Sequence, residues 1–403
     1  MMLRNSIKGN SEIMRKINTE LVINQILADG HVSRSGLARE LGLALPTVMR
    51  IVDDLLSKGI VVETGLGNSS GGRKPTMLEM NEAHSFYIGV CIQRKLKVVL
   101  ANAVGKIISY YEKIFDYSDM DSVALDQINE GIRQVIQTAG VVIKDNCWIG
   151  LGTPGSNFKA SNMTSDHPFS KWATFDRNSW MEEGKLPFPA TSENISKLGA
   201  LAELRFGRGS SVQDFIYIYA DIGIGAGIVT NGQLYMGSNG VAGEVGHTVI
   251  EQNGRPCYCG NQGCLEMYSS SLVILEELRQ LMRRKKICIN GISDPAKIQF
   301  SDALEAVQLG DEAICGIFQR AGKYLGIGLA NLINLFNPQM IFIGGELSDC
   351  ACYVEAARES ALSRIFLDRA HNVTIETSQL GHDDLLKGAI ALAMDGQFNK
   401  YSP

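Results

Sequence analysis

The chain has 403 residues, of which 45% are hydrophobic and 20% are charged, and its formal net charge is −5. These values are typical of a globular protein with sizeable cores, and a chain of this length suggests two or three domains. The acidic balance excludes a protein that is basic over its whole surface, but it is compatible with one small basic DNA-binding module. No apolar stretch approaches a membrane span, and the N-terminus lacks the apolar core of a signal peptide. We therefore expect a cytoplasmic protein without membrane contact.

Residues 1–82 predict a winged helix-turn-helix domain, which is the usual head of a DNA-binding protein. Three helices and then two strands are expected from apolar spacing and punctuation by glycine, at 20–28, 33–41, 45–58, 60–64 and 76–80. In the first helix the apolar side is expected to comprise Leu21, Ile23, Ile26 and Leu27. Ser33 would cap the second helix, and the Gly/Ser-rich stretch between the strands would form the wing.

The third helix is the expected recognition helix, because its outer face is where this fold meets bases in the major groove. Basic residues at the wing tip are placed to reach the DNA backbone or the minor groove. The predicted DNA-binding residues are Ser33, Thr47, Arg50, Arg73 and Lys74. A small helical protein-interaction domain with incidental basic residues is the alternative.

Residues 83–403 predict two related α/β lobes. Each lobe opens with a strand, a glycine-containing turn and further strands: Phe86–Ile92 begins the first, and Phe215–Ala220 followed by the turn Gly223–Gly227 begins the second. Helices are expected at 200–206, 272–284, 313–336 and 384–394. Lobe one would span about 83–200 plus the C-terminal helix, and lobe two about 201–380. The duplication resembles the actin/hexokinase-like (ribonuclease H-like) fold, which implies a ligand cleft between the lobes.

Three of the nine cysteines are crowded into one short segment that closely follows a histidine. Three thiols and an imidazole form a complete tetrahedral ligand set for a structural zinc, and the intervening glycines let the loop fold back. We expect one zinc per chain, bound by His247, Cys257, Cys259 and Cys264. Free thiols in a glycine-rich turn are the alternative. A disulfide is disfavoured because nothing indicates an oxidising compartment.

The same segment carries a family resemblance. Glu244-x-x-His247 followed by Cys-Tyr-Cys-Gly-Asn-x-Gly-Cys-Leu-Glu resembles the signature of the repressor–ORF–kinase (ROK) family, which contains bacterial sugar kinases and sugar-responsive repressors. Further similarity is found at 71–75, 325–338 and 341–345. The resemblance implies a sugar pocket lined by Asn194, Glu244, His247 and Glu266, with one wall formed by the loop that contains Gly152 and Pro154. It also places Trp172 near the ligand.

These polar side chains suit a sugar, because carboxylates accept hydrogen bonds from hydroxyls and an amide both donates and accepts. Two structural roles are alternatives. The carboxylates of Glu244 and Glu266 could instead satisfy backbone amides, and Asn194 could instead cap the helix that follows it.

Three departures from the family's kinases all concern phosphoryl transfer. The first phosphate turn resembles Asp-x-Gly-Gly-Thr in the kinases, but 91–95 reads Cys-Ile-Gln-Arg-Lys and lacks both glycines. At the second turn Asp221 adds a carboxylate that would repel a triphosphate. Ile195 stands where the kinases have the Asp that accepts the sugar proton. We therefore predict that the protein is not an enzyme.

Together these features predict a transcriptional regulator of carbohydrate-utilisation genes, in the simplest case a repressor, controlled by a sugar or sugar phosphate. Its partners would be operator DNA and a second copy of itself, as a homodimer or homotetramer. One alternative is an ATP-dependent sugar kinase of the ROK family. Another is a DNA-binding scaffold whose altered pocket responds to a protein partner.

Overall fold

The computed structural model describes residues 11–66, 74–116, 122–143, 146–155, 177–366 and 372–400. Two of the predicted contact residues, Arg73 and Trp172, lie outside these ranges. Across the described residues, no helix combines the length and apolarity that crossing a bilayer requires.

The N-terminal part contains three helices and a small sheet. Their bounds are α1 (Ser11–Asp29), β1 (Val32–Ser33), α2 (Arg34–Leu41), α3 (Leu45–Ser57), β2 (Val61–Leu66) and β3 (Thr76–Met80). The antiparallel sheet has the order β1-β3-β2. Helix α2 begins where the Ser33 hydroxyl accepts from the Gly36 amide at 3.1 Å, and it ends at Gly42 with a φ of 62°. The predicted winged helix-turn-helix and its capping serine are confirmed.

The buried side of α1 differs from the predicted apolar side. Leu21 is 42% exposed, whereas Val22, Ile23 and Ile26 are buried against α3 and β3. The predicted apolar side is therefore wrong at Leu21 alone, because Val22 takes its place in the core. Tertiary packing, rather than the helical period alone, selects which of two adjacent apolar residues is covered. Leu27 packs against both this core and a second core formed by residues from the rest of the chain.

The next part of the chain builds a five-stranded sheet with the order β6-β5-β4-β7-β8. Its elements are β4 (Phe86–Ile92), β5 (Lys95–Ala101), β6 (Ile107–Ile114), α4 (Val123–Ala139), β7 (Cys147–Thr153), β8 (Ala190–Asn194) and α5 (Ile195–Phe206). Strands β4, β5 and β6 form an antiparallel meander, and β7 and β8 run parallel to β4.

The second sheet repeats this plan with the order β11-β10-β9-β12-β13. Its elements and the final helix are β9 (Phe215–Ala220), β10 (Ile224–Thr230), β11 (Gln233–Leu234), α6 (Glu266–Ser269), α7 (Ser271–Lys285), α8 (Phe300–Gln308), α9 (Glu312–Phe336), β12 (Met340–Gly344), α10 (Ala351–Leu362), β13 (Thr374–Thr377) and α11 (Asp384–Lys400). Helix α11 packs back on β4, β7 and α5. The duplicated arrangement confirms the predicted actin/hexokinase-like fold.

The glycine-rich run Gly223–Gly227 differs from its predicted role as a turn. The chain reverses before residue 224, and the rest of the run lies within β10. A Cβ on Gly227 would lie 2.5 Å from the Ala200 Cβ and 2.6 Å from the Ser196 carbonyl oxygen. The glycines therefore allow α5 to pack closely on β10.

Candidate metal centre, effector cleft and DNA face

Two close backbone approaches bring the predicted metal ligands together. His247 ends a short 3-10 turn, and an isolated antiparallel bridge pairs Val249 with Cys264. Gly263 has a φ of 77°, and a Cβ there would lie 1.8 Å from the Glu251 carbonyl oxygen. Only glycine fits this position, so the loop of cysteines can fold back onto the segment after His247.

The ligand atoms of this group have the spacing of a tetrahedral metal site. They all lie within 4.8 Å of one another and belong to His247, Cys257, Cys259 and Cys264. Cys257 Sγ lies 3.7 Å from His247 Nδ1, and Cys259 Sγ lies 3.8 Å from Cys264 Sγ. With Zn–S bonds of about 2.3 Å, neighbouring ligand atoms of a tetrahedral zinc are roughly 3.5–3.8 Å apart. The predicted ligands therefore form a group that can bind a metal ion.

Burial shifts the pKa of three of these ligands. It lowers the pKa of His247, against the opposing effect of Glu244, so the imidazole is neutral and can act as a ligand at neutral pH. Burial also raises the pKa of the Cys257 thiol, and it raises the pKa of Cys264 to about 11. Such thiols keep their protons at neutral pH unless a cation displaces them.

Tyr258 connects the metal ligands to the predicted effector residues. Its hydroxyl lies 3.4 Å from His247 Nε2 and also interacts with the carboxylate of Glu266. The charge of Glu244 acts on both Tyr258 and His247. The structure therefore groups Glu244, His247 and Glu266 around a tyrosine that the sequence reasoning missed. Its position between two ligand cysteines was the available signal.

Glu266 is only 4% exposed at the start of α6. Its Oε2 accepts from the Ile224 amide at 2.9 Å, and its Oε1 is buried without a hydrogen-bond donor among the described residues. Burial raises the pKa of Glu266 to about 7, partly opposed by the Tyr258 hydroxyl and the Ile224 amide. The alternative role, in which this carboxylate satisfies a backbone amide, holds for one oxygen. The other oxygen keeps unused acceptor capacity, and contact with an effector stays a prediction.

Asn194 is the N-cap of α5. Its Oδ1 accepts from the Ser196 amide at 2.8 Å and from the Ser196 hydroxyl at 2.6 Å. Its Nδ2 donates to the Gly155 carbonyl at 2.6 Å, which ties the cap to the predicted wall loop. The capping role that the sequence left as an alternative is confirmed, and contact with an effector stays a prediction.

The two predicted wall residues have different environments. Gly152 lies inside β7, where a Cβ would be 2.3 Å from Leu198 Cδ1, so its smallness serves the packing of α5. Pro154 is buried just beyond the end of β7.

Strand β10 lies between Asn194 and Glu244, since Ala226 on this strand has a contact on each side. The Ser196 hydroxyl, near Asn194, lies 3.4 Å from the Ala226 carbonyl oxygen. The Ala226 amide in turn donates to the Gly243 carbonyl at 2.8 Å, next to Glu244.

The two turns that were compared with the phosphate turns of the kinases, 91–95 and 221–225, lie close together. We call the region between them the phosphate corner, and contacts between the two sheets occupy much of it. Gln93, in the turn between β4 and β5, donates to the Tyr219 hydroxyl. That hydroxyl donates to Asp221 Oδ2 at 2.7 Å. Arg94 Nη1 lies 3.9 Å from Glu346 Oε2. The remaining cavity is about 200 Å³ and carries the carboxylates of Asp221, Glu346, Asp349 and Asp384. A triphosphate would meet both a filled space and like charge.

Ile195, the third departure, is also built into the fold. Its side chain is 6% exposed in the first turn of α5. It packs in the apolar cluster that includes residues of α11. An aliphatic side chain in this position has no atom that can accept the sugar proton.

The exposed face of α3 carries the predicted DNA contacts. Leu45 and Met49 are 44% and 46% exposed, Arg50 is exposed and Thr47 is half-buried. The opposite face of the helix, with Val48 in its centre, is buried in the core. A helix that presents a cation and apolar side chains outward is suited to phosphates and thymine methyl groups in a major groove.

Three further positions refine this face. Lys74 is exposed and lies two residues before β3, and its contact with DNA stays a prediction. Ser33 is occupied as the cap of α2, and its hydroxyl lies 3.2 Å from the Ser35 hydroxyl. Arg34 forms ion pairs with Glu63 at 2.9 Å and with Asp53 at 3.4 Å. Among the described residues, Arg50 on α3 and Lys74 before β3 stay the predicted cations for DNA.

Two family profiles match the chain. The ROK family matches residues 89–396, and the winged helix-turn-helix DNA-binding family matches residues 15–62. The xylose repressor of Caldicellulosiruptor bescii is 32% identical over 399 residues, which cover 96% of this chain and 97% of that protein. The DNA-binding transcriptional dual regulator NagC of Escherichia coli K12 is 27% identical, with 97% and 95% covered.

Solved structures agree with these matches. A ROK family transcriptional regulator, described as a homologue of the E. coli MLC protein, has a TM-score of 0.79 and 25% identity and covers 96% of this chain and 97% of its own. A ROK family glucokinase from Streptomyces griseus, solved with glucose and AMPPNP, has a TM-score of 0.66 and 25% identity, with 77% of this chain and 100% of its own covered. The chain belongs to the ROK family.

Proposed function

We propose that the protein is a DNA-binding transcriptional repressor of sugar-utilisation genes, controlled by a sugar or sugar phosphate that binds between the two sheets. The observation that carries this proposal is the union, in one chain, of a winged helix-turn-helix with ROK lobes whose phosphate corner is occupied by Gln93 and Tyr219. We divide the chain into a DNA-binding domain at 1–82 and an effector domain at 83–403.

The effector pocket in this proposal uses the predicted polar residues Asn194, Glu244, His247 and Glu266. The unsatisfied oxygen of Glu266 supports this choice, because a buried acceptor gains most from a new donor such as a sugar hydroxyl. Relatives are named as a xylose repressor and as an N-acetylglucosamine repressor. A pentose and an amino hexose are therefore the first effectors to test.

The metal in this proposal is one structural zinc per chain. Its support is the chemistry of the donor set, three thiols and a neutral imidazole with tetrahedral spacing. Bound zinc would hold His247 and the cysteine loop together and so keep Glu266 and Tyr258 in place.

DNA recognition in this proposal uses Arg50 and Thr47 on α3 and Arg73 and Lys74 on the wing, with Ser33 near the phosphates. We expect a homodimer or homotetramer, because operator half-sites separated by about one helical turn, roughly 34 Å, require two heads related by a two-fold axis. Operator DNA lies in the cytoplasm, which is where we place the protein. Effector binding between the lobes would change the separation of the two heads.

The proposal is tested with purified full-length protein in a thermal-shift screen of sugars and sugar phosphates, with and without ATP. Stabilisation by one sugar without ATP turnover is the expected result, and the same sugar should change the affinity for operator fragments selected from the host genome. A sugar that stabilises the protein and is phosphorylated would support the kinase alternative. No response to a broad panel would support the scaffold alternative.

A further inference from the structure

Lys197 is a buried lysine on α5 that contacts a loop beside the second sheet. Its side chain is 4% exposed, and its Nζ lies 3.3 Å from Oε1 of Glu193, which is 9% exposed. Nζ also donates to the backbone carbonyl of Gly240. A buried ammonium group is tolerated only when it is paired and hydrogen-bonded. Of its two partners, Glu193 lies just before α5, and Gly240 lies in a loop that is distant in sequence.

The loop that receives this bond spans 235–244, contains no helix or strand and ends at Glu244. Its three glycines, Gly237, Gly240 and Gly243, have φ angles of 69°, 74° and 97°. Glycines in this region of φ have high conformational freedom when nothing restrains them. Backbone hydrogen bonds hold both ends of the loop, from the Tyr235 amide to the Ile228 carbonyl and from the Ala226 amide to the Gly243 carbonyl, and the Ala242 amide donates to the Met236 carbonyl within the loop. The Lys197 ammonium group adds a side-chain restraint at Gly240.

Glu193 extends the contact to the start of α5. Its Oε1 accepts from the Asn194 backbone amide at 2.7 Å as well as from Lys197. A continuous hydrogen-bonded path therefore runs from Asn194 through Glu193 and Lys197 to Gly240. One end of this path is Asn194, a proposed effector residue, and the other is Gly240, which precedes the proposed effector residue Glu244 by four residues in the same loop.

We propose that Lys197 is a positioning residue for the effector response: it holds the loop 235–244 against α5 through Gly240 and thereby places Glu244 for the sugar. The inference rests on the proposed function, since Glu244 is a proposed effector contact. Lys197 does not touch the effector itself. Its loss would release the loop and weaken sugar binding while leaving the DNA-binding face unaltered.

The test removes both charges together, in the double variant Glu193→Gln, Lys197→Met. The single Lys197→Met change would leave a buried carboxylate without its counterion, which can unfold the protein. In the double variant the side-chain amide that Glu193→Gln introduces keeps an oxygen that can accept from the Asn194 backbone amide. The matched control is Arg205→Met, Asp395→Asn. It removes an ion pair of 3.3 Å that joins the same helix to α11 and does not contact the loop.

The first measurement is hydrogen–deuterium exchange of peptides covering 235–244 in the effector-free protein. We expect exchange about tenfold faster in the Glu193/Lys197 variant, because a hydrogen bond from a charged donor is lost, and unchanged exchange in the control. Loop exchange at the wild-type rate in the Glu193/Lys197 variant would overturn the inference. This measurement needs no sugar and is therefore independent of the proposed function.

The second measurement is calorimetric affinity for D-xylose, together with operator affinity without sugar. We expect roughly tenfold weaker D-xylose binding in the Glu193/Lys197 variant, with wild-type operator affinity, and wild-type values of both in the Arg205/Asp395 control. If the Arg205/Asp395 control loses as much D-xylose affinity, Lys197 has only a general structural role. Failure of wild-type protein to bind D-xylose would count against that effector, and the exchange measurement would still decide the role of Lys197.

Discussion

The hydroxyl of Tyr258 lies 3.4 Å from Nε2 of His247, while Nδ1 of the same ring faces the Cys257 thiol at 3.7 Å. One imidazole therefore connects the metal ligands with the polar groups around Glu266. A metal held by Nδ1 would make Nε2 the N–H donor, which would fix both the tautomer and the ring orientation. Metal content and effector affinity are expected to depend on each other through this ring.

The Tyr258→Phe variant separates these two roles. The hydroxyl is not in the ligand set, so we expect full zinc content. Sugar affinity should fall several-fold, by about 1 kcal/mol, because Glu266 and His247 lose a hydrogen-bonding neighbour. Elemental analysis and calorimetry provide the two measurements. Loss of zinc together with sugar binding would instead mean that the hydroxyl is needed to hold the imidazole in place.

Zinc itself is tested by protein purified without added metal. We expect close to one equivalent per chain, and Cys259→Ser should lower both the metal content and the free energy of unfolding, because structural zinc contributes to folding. Cys288→Ser is the matched control, since that cysteine is exposed and outside the ligand set. Full zinc occupancy in a variant lacking all three ligand cysteines would rule out this site.

Phosphoryl transfer is expected to be absent. In a coupled assay with ATP and hexoses, pentoses or amino sugars, ADP release should stay at background. Ile195→Asp should also stay at background, because Gln93 and Asp221 still occupy the phosphate corner. A ROK glucokinase serves as the positive control. ADP release that depends on one sugar would contradict our interpretation of this corner.

The sequence-based predictions are accurate where the interacting residues are close in sequence, and they fail where the residues are far apart in sequence. The Ser33 cap and the metal ligands were predicted because the signal for each lies within a few adjacent residues or a dense motif. The exposure of Leu21 was not predicted, since it depends on how α1 docks on its neighbours. Lys197 was missed because its partner Gly240 is 43 residues away. A contact of that range leaves no local pattern in the sequence.

The glycines of β10 give a prediction about packing. Gly227→Ala should lower the free energy of unfolding by about 1–3 kcal/mol, because the new Cβ would overlap the Ala200 Cβ and the Ser196 carbonyl. Gly316→Ala on α9 is the control. Its Cβ would meet only the Arg320 guanidinium, at 3.9 Å, so better helix propensity should stabilise it by roughly 0.5–1 kcal/mol. Denaturant unfolding of both variants distinguishes a packing role from a loop role, in which Gly227→Ala would be nearly neutral.

The DNA face is tested by the triple variant Arg50→Ala, Arg73→Ala, Lys74→Ala. Each cation that contacts a phosphate contributes about one counterion to the salt dependence, so affinity should fall for all sequences and the salt slope should decrease by up to about three. If Arg50 reads a guanine, Arg50→Ala alone should cost roughly 1–3 kcal/mol and relax specificity at one base pair.

The control for these variants is Arg133→Ala, which removes a cation that is 71% exposed on α4 and distant in sequence from the winged domain. Binding is measured by fluorescence anisotropy at several salt concentrations, on the cognate operator and on a scrambled duplex. If the triple variant keeps the wild-type affinity and salt slope, α3 and the wing do not form the DNA-binding face. A loss confined to the cognate operator would mean that these residues read bases and do not neutralise phosphates.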